Sequence, residues 1–497
     1  AYLRWLRVAQ REHYVPGSAT RFARRWWEAG NVNRLLAGAG LSGAVASIWY
    51  PPAAFAAALA ATAGPVGLTV RGRTSKLAWT GRLRRLGALS FGLAAVPIAG
   101  AGIGGLHPAL SVAAFCAMGA PALVDLALWV TRMFEARLLQ PYVERATKRL
   151  AVVAPRVVAI TGSYGKTTTK GYVAHLASGS LSVVASPASF NNTAGLARAI
   201  NEHLATGTQL FVAEMGTYGP GEISAMCAWT NPEIALITAI GPVHLERMGT
   251  LENIAEAKAE ILQKARVAVL NVDYPLLADL AQKSEEDGKD VWRCSAQSVR
   301  ADVNVWREGS KLRVRAAHIV AEMDLLVAAP PEVEPGNVAC AIAAALSLGV
   351  PAQIVASRLN DLPGTPHRRS VRRGSNGVNI IDDTYNANPA GAQAALELLQ
   401  VSATNGAKRV VVSPGMVELG PLQARENANF AARAGEFATE LVVVGRTNAR
   451  SLMGGARAAT LPAVQVRNRD EAVAWVSGHL SAGDAVLYEN DLPDHYP

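Results

Sequence analysis

Two stretches of the chain carry no charged residue, Leu35 to Val70 and Leu86 to Val124. Each is longer than the roughly 20 apolar residues that cross a bilayer core. Each is also broken near its middle, the first by Tyr50, Pro51 and Pro52, the second by Gly104, Gly105, His107 and Pro108. A broken run of this length predicts a helical hairpin. The expectation is therefore an all-α transmembrane region over residues 35–131, with four spans near 35–49, 53–70, 87–104 and 109–130. The first is short for a full crossing, so tilted or re-entrant pairs are a variant of the same reading. A buried Ala- and Gly-rich core would give a similar pattern, because Ala is only weakly hydrophobic.

Beyond residue 131 the pattern changes. A charged segment, 132–149, predicts a connecting helix, after which short β-branched runs alternate with helical patterns: RVVAI, QLFVAEM, EIALITAI and RVAVLNV. A second set follows, VNIIDD, KRVVVSPG, ELVVVG and DAVLYEN. Such alternation predicts an α/β fold of parallel sheets covered by helices. A boundary near PGTP (Pro363 to Pro366) divides it into domains over 150–362 and 363–497.

Composition sharpens the first part more than the second. Half of the 497 residues are hydrophobic, mean hydropathy is +0.16, and the formal net charge is +9. The leader, 1–34, holds Arg4, Arg7, Arg11, Arg21, Arg24, Arg25 and Arg34 against Glu12 and Glu28. The loop between the uncharged runs holds Arg71, Arg73, Lys76, Arg82, Arg84 and Arg85 and no acid. Both segments should lie on the cytoplasmic side, where anionic headgroups attract them, so no nucleic acid is needed to explain the charge. Trp26, Trp27 and Trp49 are candidates for the membrane interface. The leader has no signal-peptide core or cleavage site, and the chain opens on Ala, which suggests a native start further upstream. Cys116, Cys227, Cys294 and Cys340 lie far apart and support neither a zinc site nor a disulfide framework.

Candidate chemistry centres on AITGSYGKTTTK, residues 159–170. RVVAI ends in a Gly-rich turn and a helix is expected from Thr167 to Leu176. In a strand–loop–helix unit the backbone N–H groups around Gly162, Ser163 and Gly165 can face phosphate oxygens, helped by the helix N-terminus. Lys166 would meet the outer phosphates and Thr167 a Mg²⁺ ion. Only Ser163 and Tyr164 separate Gly162 from Gly165, fewer than in the general phosphate loop, and a plain tight turn with an exposed lysine is the competing reading. Glu214, His244, Asp382 and Asp383 also fall at or just after the carboxyl ends of strands, the edge where open α/β sheets bind ligands. In TLENIAEAKAEILQKA the apolar stripe is Leu251, Ile254, Ile261 and Ala265, and Lys258 falls on it. A lysine turned inward has a depressed pKa and a nucleophilic neutral amine, able to take up CO₂ as a carbamate. Snorkelling past apolar neighbours is the simpler alternative.

Taken as a set, these segments resemble the Mur ligases, and among them the MurF type. The resemblance runs from about Val157 to Val444 through TGSYGKTTTK, SFNNTAGLA, EMGTYGPGEI, TAIGPVHLERMGT, AEAKAEIL, PGNVACAIAAAL, PHRRS and IIDDTYNANP. It implies a P-loop central domain, a Rossmann-like C-terminal domain, and an ATP- and Mg²⁺-dependent ligase that makes an amide through an acyl phosphate in the bacterial cytoplasm. Gly162, Ser163, Gly165, Lys166, Thr167, Thr168, Asn337, Arg368 and Asp383 would bind ATP. Thr167, Glu214, His244 and carbamylated Lys258 would serve the metal. Lys166, Glu214, His244, Lys258 and Arg368 would be catalytic, and Asn191 and Asn192 would meet substrate. The implied partners are a cell-envelope precursor and an amino acid or dipeptide, with UDP-MurNAc-tripeptide and D-Ala-D-Ala as defaults.

Three departures bear on those substrates. The membrane segment replaces the UDP-sugar-binding domain; SPGMVELG has Gly415 at an acidic position and Asn427 follows in place of His; YENDLPDHYP replaces Lys-Gly-Ser. A poly-γ-glutamate-type synthase and a non-catalytic nucleotide-binding scaffold for the envelope machinery remain as alternatives.

Overall fold

A computed structural model of the chain describes all residues other than 71–76, 188–189, 298–299, 319–320, 386–387, 405, 493–494 and 497. The chain forms two compact units, residues 1–139 with 445–447 and 491–497, and residues 140–444 with 448–490.

The larger unit contains two sheets. The first runs in the order Val183–Ala185, Leu210–Glu214, Arg156–Thr161, Ile234–Ile237, Val267–Asn271, Asp290–Ser295, Val303–Glu308, Lys311–His318, Ala321–Ala328. Its first seven strands are parallel and the last three form an antiparallel meander. The strands Leu210–Glu214, Ile234–Ile237 and Val267–Asn271 are buried at every position, as expected for a parallel sheet covered on both faces. One face packs on the helices Lys166–Ala177 and Pro335–Ser347, the other on Thr193–His203, Glu222–Thr230, Leu251–Ala259 and Pro275–Glu286. Ridges of Ala, from Ala339 to Ala345, let the helix Pro335–Ser347 lie against the sheet with almost no exposed surface. The meander did not stand out in the alternating pattern because its strands carry arginines on the outer face, Arg313 and Arg315 among them.

The second sheet runs Ser370–Arg373, Asn379–Asp383, Ala485–Glu489, Arg409–Ser413, Glu440–Val444, Ala463–Val466, parallel except for its first strand. The last strand in sequence returns to lie between Asn379–Asp383 and Arg409–Ser413, so Asp383 and Glu489 stand in register at the same carboxyl edge.

The smaller unit is helical, and here several expectations need correction. The leader folds into two helices, Tyr2–Arg11 and Ser18–Glu28, whose Trp5, Leu6, Phe22 and Trp26 form a core with Leu68, Leu83, Leu86, Val124 and Leu128. Trp26 is thus a core residue rather than an interface anchor, its Nε1 donating to the His495 carbonyl at 2.8 Å; Trp49 is exposed. The span expected over 35–49 is the helix Asn31–Ala46. That expected over 53–70 is the helix Ala54–Ala63, which stops where Gly64 and Pro65 cannot continue it. The span expected over 87–104 is the helix Gly81–Ile103. The fourth is split into Leu106–Met118 and Ala120–Val153, bent by 75° at Gly119 ahead of Pro121. No connecting helix begins at 132, because Ala120–Val153 is continuous through it.

The C-terminal domain likewise does not extend to 497. Residues 491–497 belong with the N-terminal helices, where His495 Nε2 meets Glu12 Oε1 at 2.8 Å and Tyr496 packs edge-on to Phe22. Of the basic loop, Arg71, Arg73 and Lys76 lie outside the described residues.

Candidate active site

The strand Arg156–Thr161 delivers its chain to the loop 162–165, which enters the helix Lys166–Ala177. Gly165 has φ +81°, a backbone state that a side chain disfavours, and a Cβ there would collide with Asn337 Oδ1. The loop is stitched to the neighbouring strand end: Ser163 N–H donates to the Ala239 carbonyl at 2.8 Å and Ser163 Oγ to that of Gly241 at 3.0 Å. Ser163 therefore holds the loop in place, and its N–H is not one of those free to face phosphate. That part of the expectation is corrected. The helix has no side-chain cap among the described residues, so the orphan N–H groups of its first turn remain available to an anion. Lys166 Nζ curls over the loop, donating to the carbonyls of Gly162 at 2.7 Å and Ser163 at 3.3 Å.

Glu214, at the end of the adjacent strand, gathers three donors. Thr167 Oγ1 lies 3.0 Å and Lys170 Nζ 2.9 Å from its Oε2, and Asn191 Nδ2 lies 3.3 Å from its Oε1. Lys170 escaped the sequence reading, although its spacing of three from Thr167 puts both on one helix face and could have revealed it. Asn192 is used differently, its Oδ1 capping the helix Thr193–His203 through Gly195 N–H at 2.9 Å.

A cavity of about 380 Å³ opens beside the loop, lined by Tyr164, Gly165, Thr168, Asn337, Arg368 and Asp383 among others. Arg368 and Asp383 come from the second sheet's domain, and Thr365 Oγ1 reaches Thr168 Oγ1 at 3.3 Å. Asp383 accepts from Arg369 N–H at 3.2 Å. Its neighbour Asp382 is spent locally on Thr384 and His367.

Lys258 is 3% exposed on the helix Leu251–Ala259, as its place on the apolar stripe requires. Burial, and then the charge of Lys166, hold its amine well below the usual lysine range. Burial likewise lowers Lys166 to about 8, with Glu214 opposing the shift and Arg368 adding to it. His244 is held down by burial against the pull of Glu418, with Lys258 and Lys166 both nearby. Glu418, from the loop after Arg409–Ser413, is a second residue the sequence reading missed. It bonds His244 Nδ1 and accepts from Arg247 Nη2 at 3.1 Å.

The two positions that depart from the family pattern are coupled. Gly415 has φ +78°, and a Cβ there would collide with Asn427 Oδ1. Asn427 is fully buried, accepting from Met416 N–H at 2.8 Å and donating to the Met416 carbonyl at 2.9 Å.

Residues 160–345 match the Mur ligase middle domain and residues 367–488 the Mur ligase glutamate ligase domain. The UDP-N-acetylmuramoyl-tripeptide–D-alanyl-D-alanine ligase of Mycobacterium tuberculosis is 33% identical over 368 residues, covering 67% of this chain and 69% of the relative. The chain belongs to the Mur ligase family. Among solved structures, MurF from Acinetobacter baumannii superposes with a TM-score of 0.62 at 24% identity, over 71% of this chain and 77% of that one, a likeness of fold. MurF from Thermotoga maritima, in complex with ADP, gives 0.58 at 25% identity, over 71% and 80%. This Mur ligase is accordingly a MurF-like, ATP-dependent acid–amino acid ligase of peptidoglycan synthesis, and the comparisons favour neither alternative.

The side chains fit the nucleotide and metal that such ligases use. The uncapped helix terminus and the cavity suit a nucleoside triphosphate. Thr167 and Glu214 offer the hard oxygens that Mg²⁺ prefers. Among the described residues no three His, Cys, Asp or Glu side chains converge as a metal site, so the ion would draw its remaining ligands from phosphate oxygens and water.

Proposed function

We propose that this Mur ligase joins a UDP-MurNAc-tripeptide-type carboxylate to a D-alanyl-D-alanine-type amine, with its catalytic domains in the cytoplasm and its N-terminal unit anchored in a bacterial plasma membrane. The observation that carries the reading is that Arg368 and Asp383 of the second domain line the cleft beside the glycine loop, where the charge of Arg368 acts on both Lys166 and Glu214, and Glu214 holds Thr167. A carboxylate is a poor electrophile, so it must first take the γ-phosphoryl group as an acyl phosphate that the amine then attacks. Lys166 and Arg368 offset the negative charge gathered at that transfer, and Thr167 with Glu214 would hold Mg²⁺, which neutralises the phosphates. Asn337 and Asp383 orient the nucleotide. Closing the second domain over the cleft orders the amine and keeps water from the acyl phosphate.

His244 and Lys258 would support a second metal. Burial favours the neutral form of the Lys258 amine, which can take up CO₂ with loss of a proton, and the resulting carbamate would offer Mg²⁺ a carboxylate where a protonated amine would repel it. The membrane reading is supported by the helix Gly81–Ile103, of which only 22% of the apolar window is buried, and by exposed Leu35, Trp49, Phe55, Leu59, Val96, Ile103 and Trp129. Among the described residues one helix is long and apolar enough to cross a membrane, or two if the bent pair counts as one span.

The test is phosphate release by detergent-purified protein with ATP and Mg²⁺. Release should require both UDP-MurNAc-tripeptide and D-Ala-D-Ala, and fall by about 100-fold or more in Lys166→Ala and strongly in Lys258→Ala, with melting temperatures unchanged. Intact-protein mass spectrometry under CO₂-preserving conditions should find the carbamate in wild type and not in Lys258→Ala. Release that ignores the acceptor pair, or responds only to other amino acids, would overturn the substrate assignment.

A further inference from the structure

Loop 416–422 of the second domain seats directly on the short helix Leu245–Met248 of the first. The Glu418 carbonyl accepts from Glu246 N–H at 3.1 Å, and a Cβ at Gly420 would crowd the Glu246 backbone at 3.3 Å. Leu422 packs into the hydrophobic clusters of both domains. On this seat the Glu418 carboxylate is shared: one oxygen bonds His244 Nδ1 and the other accepts from Arg247 Nη2, a side chain only 7% exposed. The Arg247 guanidinium lies 4.9 Å from the centre of the Tyr218 ring, and that ring packs edge-on to His244 at 5.1 Å. His244 and Glu418 both hold positive φ, +62° and +64°. Neither is glycine, so a left-handed conformation costs each of them and must be held by these contacts.

We infer that Glu418 is a positioning residue for the ligase reaction: arriving with the second domain, it fixes the orientation and tautomer of His244. A carboxylate bonded to Nδ1 places the ring's single proton there and leaves Nε2 with a free lone pair, the state in which an imidazole can bind a metal or accept a proton. Were the second domain to leave this seat, His244 would lose that partner and Arg247 its contact with Glu418. Domain closure and assembly of the histidine are thereby one event, and the site is completed only when the cleft is shut. The inference deepens the role proposed for His244 and rests on it.

A double-mutant cycle tests it in the full-length protein. Glu418→Ala should lower kcat by about 10- to 100-fold, the usual effect of removing such a partner, while the KM for ATP moves less than about threefold. Glu418→Gln, which keeps an acceptor for Nδ1–H, should recover part of the loss. In a His244→Ala background Glu418→Ala should cost little more. Independent of turnover, ¹⁵N-histidine NMR of the metal-free protein, with His244 assigned by its loss in His244→Ala, should show the Nδ1–H tautomer in wild type and a tautomer mixture in Glu418→Ala. If His244→Ala is itself fully active, the role proposed for His244 fails. If His244→Ala is impaired but the two losses multiply independently, or the tautomer is unchanged in Glu418→Ala, Glu418 is only an interdomain staple and the inference is overturned.

Discussion

Glu489 ends the strand Ala485–Glu489 in register with Asp383, 1% exposed, and neither of its carboxylate oxygens has a hydrogen-bond partner among the described residues. Burial, then the Asp383 carboxylate, push its pKa well above the usual 4.5, with Arg369 pulling the other way. The sign of the consequence follows from linkage. At low pH the acid is protonated in both folded and unfolded chains. As pH rises through the ordinary carboxylate range the unfolded chain ionises while the folded acid stays neutral, so stability drains away until the raised folded pKa is passed. Glu489→Gln, which stays neutral at every pH, should therefore stabilise the protein near pH 7, by about 1.4 kcal/mol for each pH unit between the ordinary carboxylate pKa and the raised one, and the gain should vanish near pH 4. Thermal melts of both proteins across that range measure it, and a less stable variant at neutral pH would mean that the carboxylate is ionised and paired. Lys258 was legible in the sequence because one residue on a helical stripe must share the burial of its neighbours. Glu489 and Glu418 were not, since their surroundings come from strands and loops distant in the chain.

At the scale of elements, the glycine loop shows how one backbone angle serves binding. Gly165 has to be left-handed to start the helix Lys166–Ala177, and its bare Cα is what lets Asn337, from the helix Pro335–Ser347, approach the loop. Gly165→Ala adds both strain and a collision, so it should weaken ATP binding by about 5- to 30-fold, the equivalent of the roughly 1–2 kcal/mol that a left-handed residue with a Cβ costs. Titration with a fluorescent ATP analogue reads this directly, and unchanged affinity would show that Asn337 does not depend on the loop. Strands of the parallel core were readable because burial on both faces demands unbroken apolar runs. The meander Val303–Ala328 was not, because an edge with one solvated face mixes arginines with valines. Helix lengths in the N-terminal unit were misjudged for a related reason: an uncharged run marks where a helix is tolerated, while Gly64–Pro65 and Gly119 decide where one stops.

At the scale of the whole molecule, the leader and the end of the loop between the two uncharged runs are tied together inside the N-terminal unit. Gln10 makes two bonds to the Ala78 backbone, Nε2 to its carbonyl at 2.7 Å and Oε1 from its N–H at 3.1 Å, and Tyr14 Oη lies 3.3 Å from Thr80 Oγ1. Whatever side of a membrane the leader occupies, residues 77–80 occupy it too. In the anchoring we propose, the arginines of both segments and the need of the catalytic domains for ATP put that side in the cytoplasm. A cysteine at exposed position 78 should react with a membrane-impermeant maleimide only after cells are permeabilised, above the background of the four native cysteines. Labelling in intact cells would reverse the topology.

Local order along the chain was enough to determine the α/β class, the glycine loop, the inward lysine and the family pattern, since each depends on periodicity or on residues adjacent in sequence. Tertiary structure alone decided that Ser163 anchors the loop rather than facing phosphate, that Lys170 pairs with Glu214, and that the last residues fold with the first helices. Those outcomes depend on which side chains meet across tens to hundreds of residues. A hydrogen-bonding group takes whatever partner the packed core leaves within reach, and that partner is set by the fold.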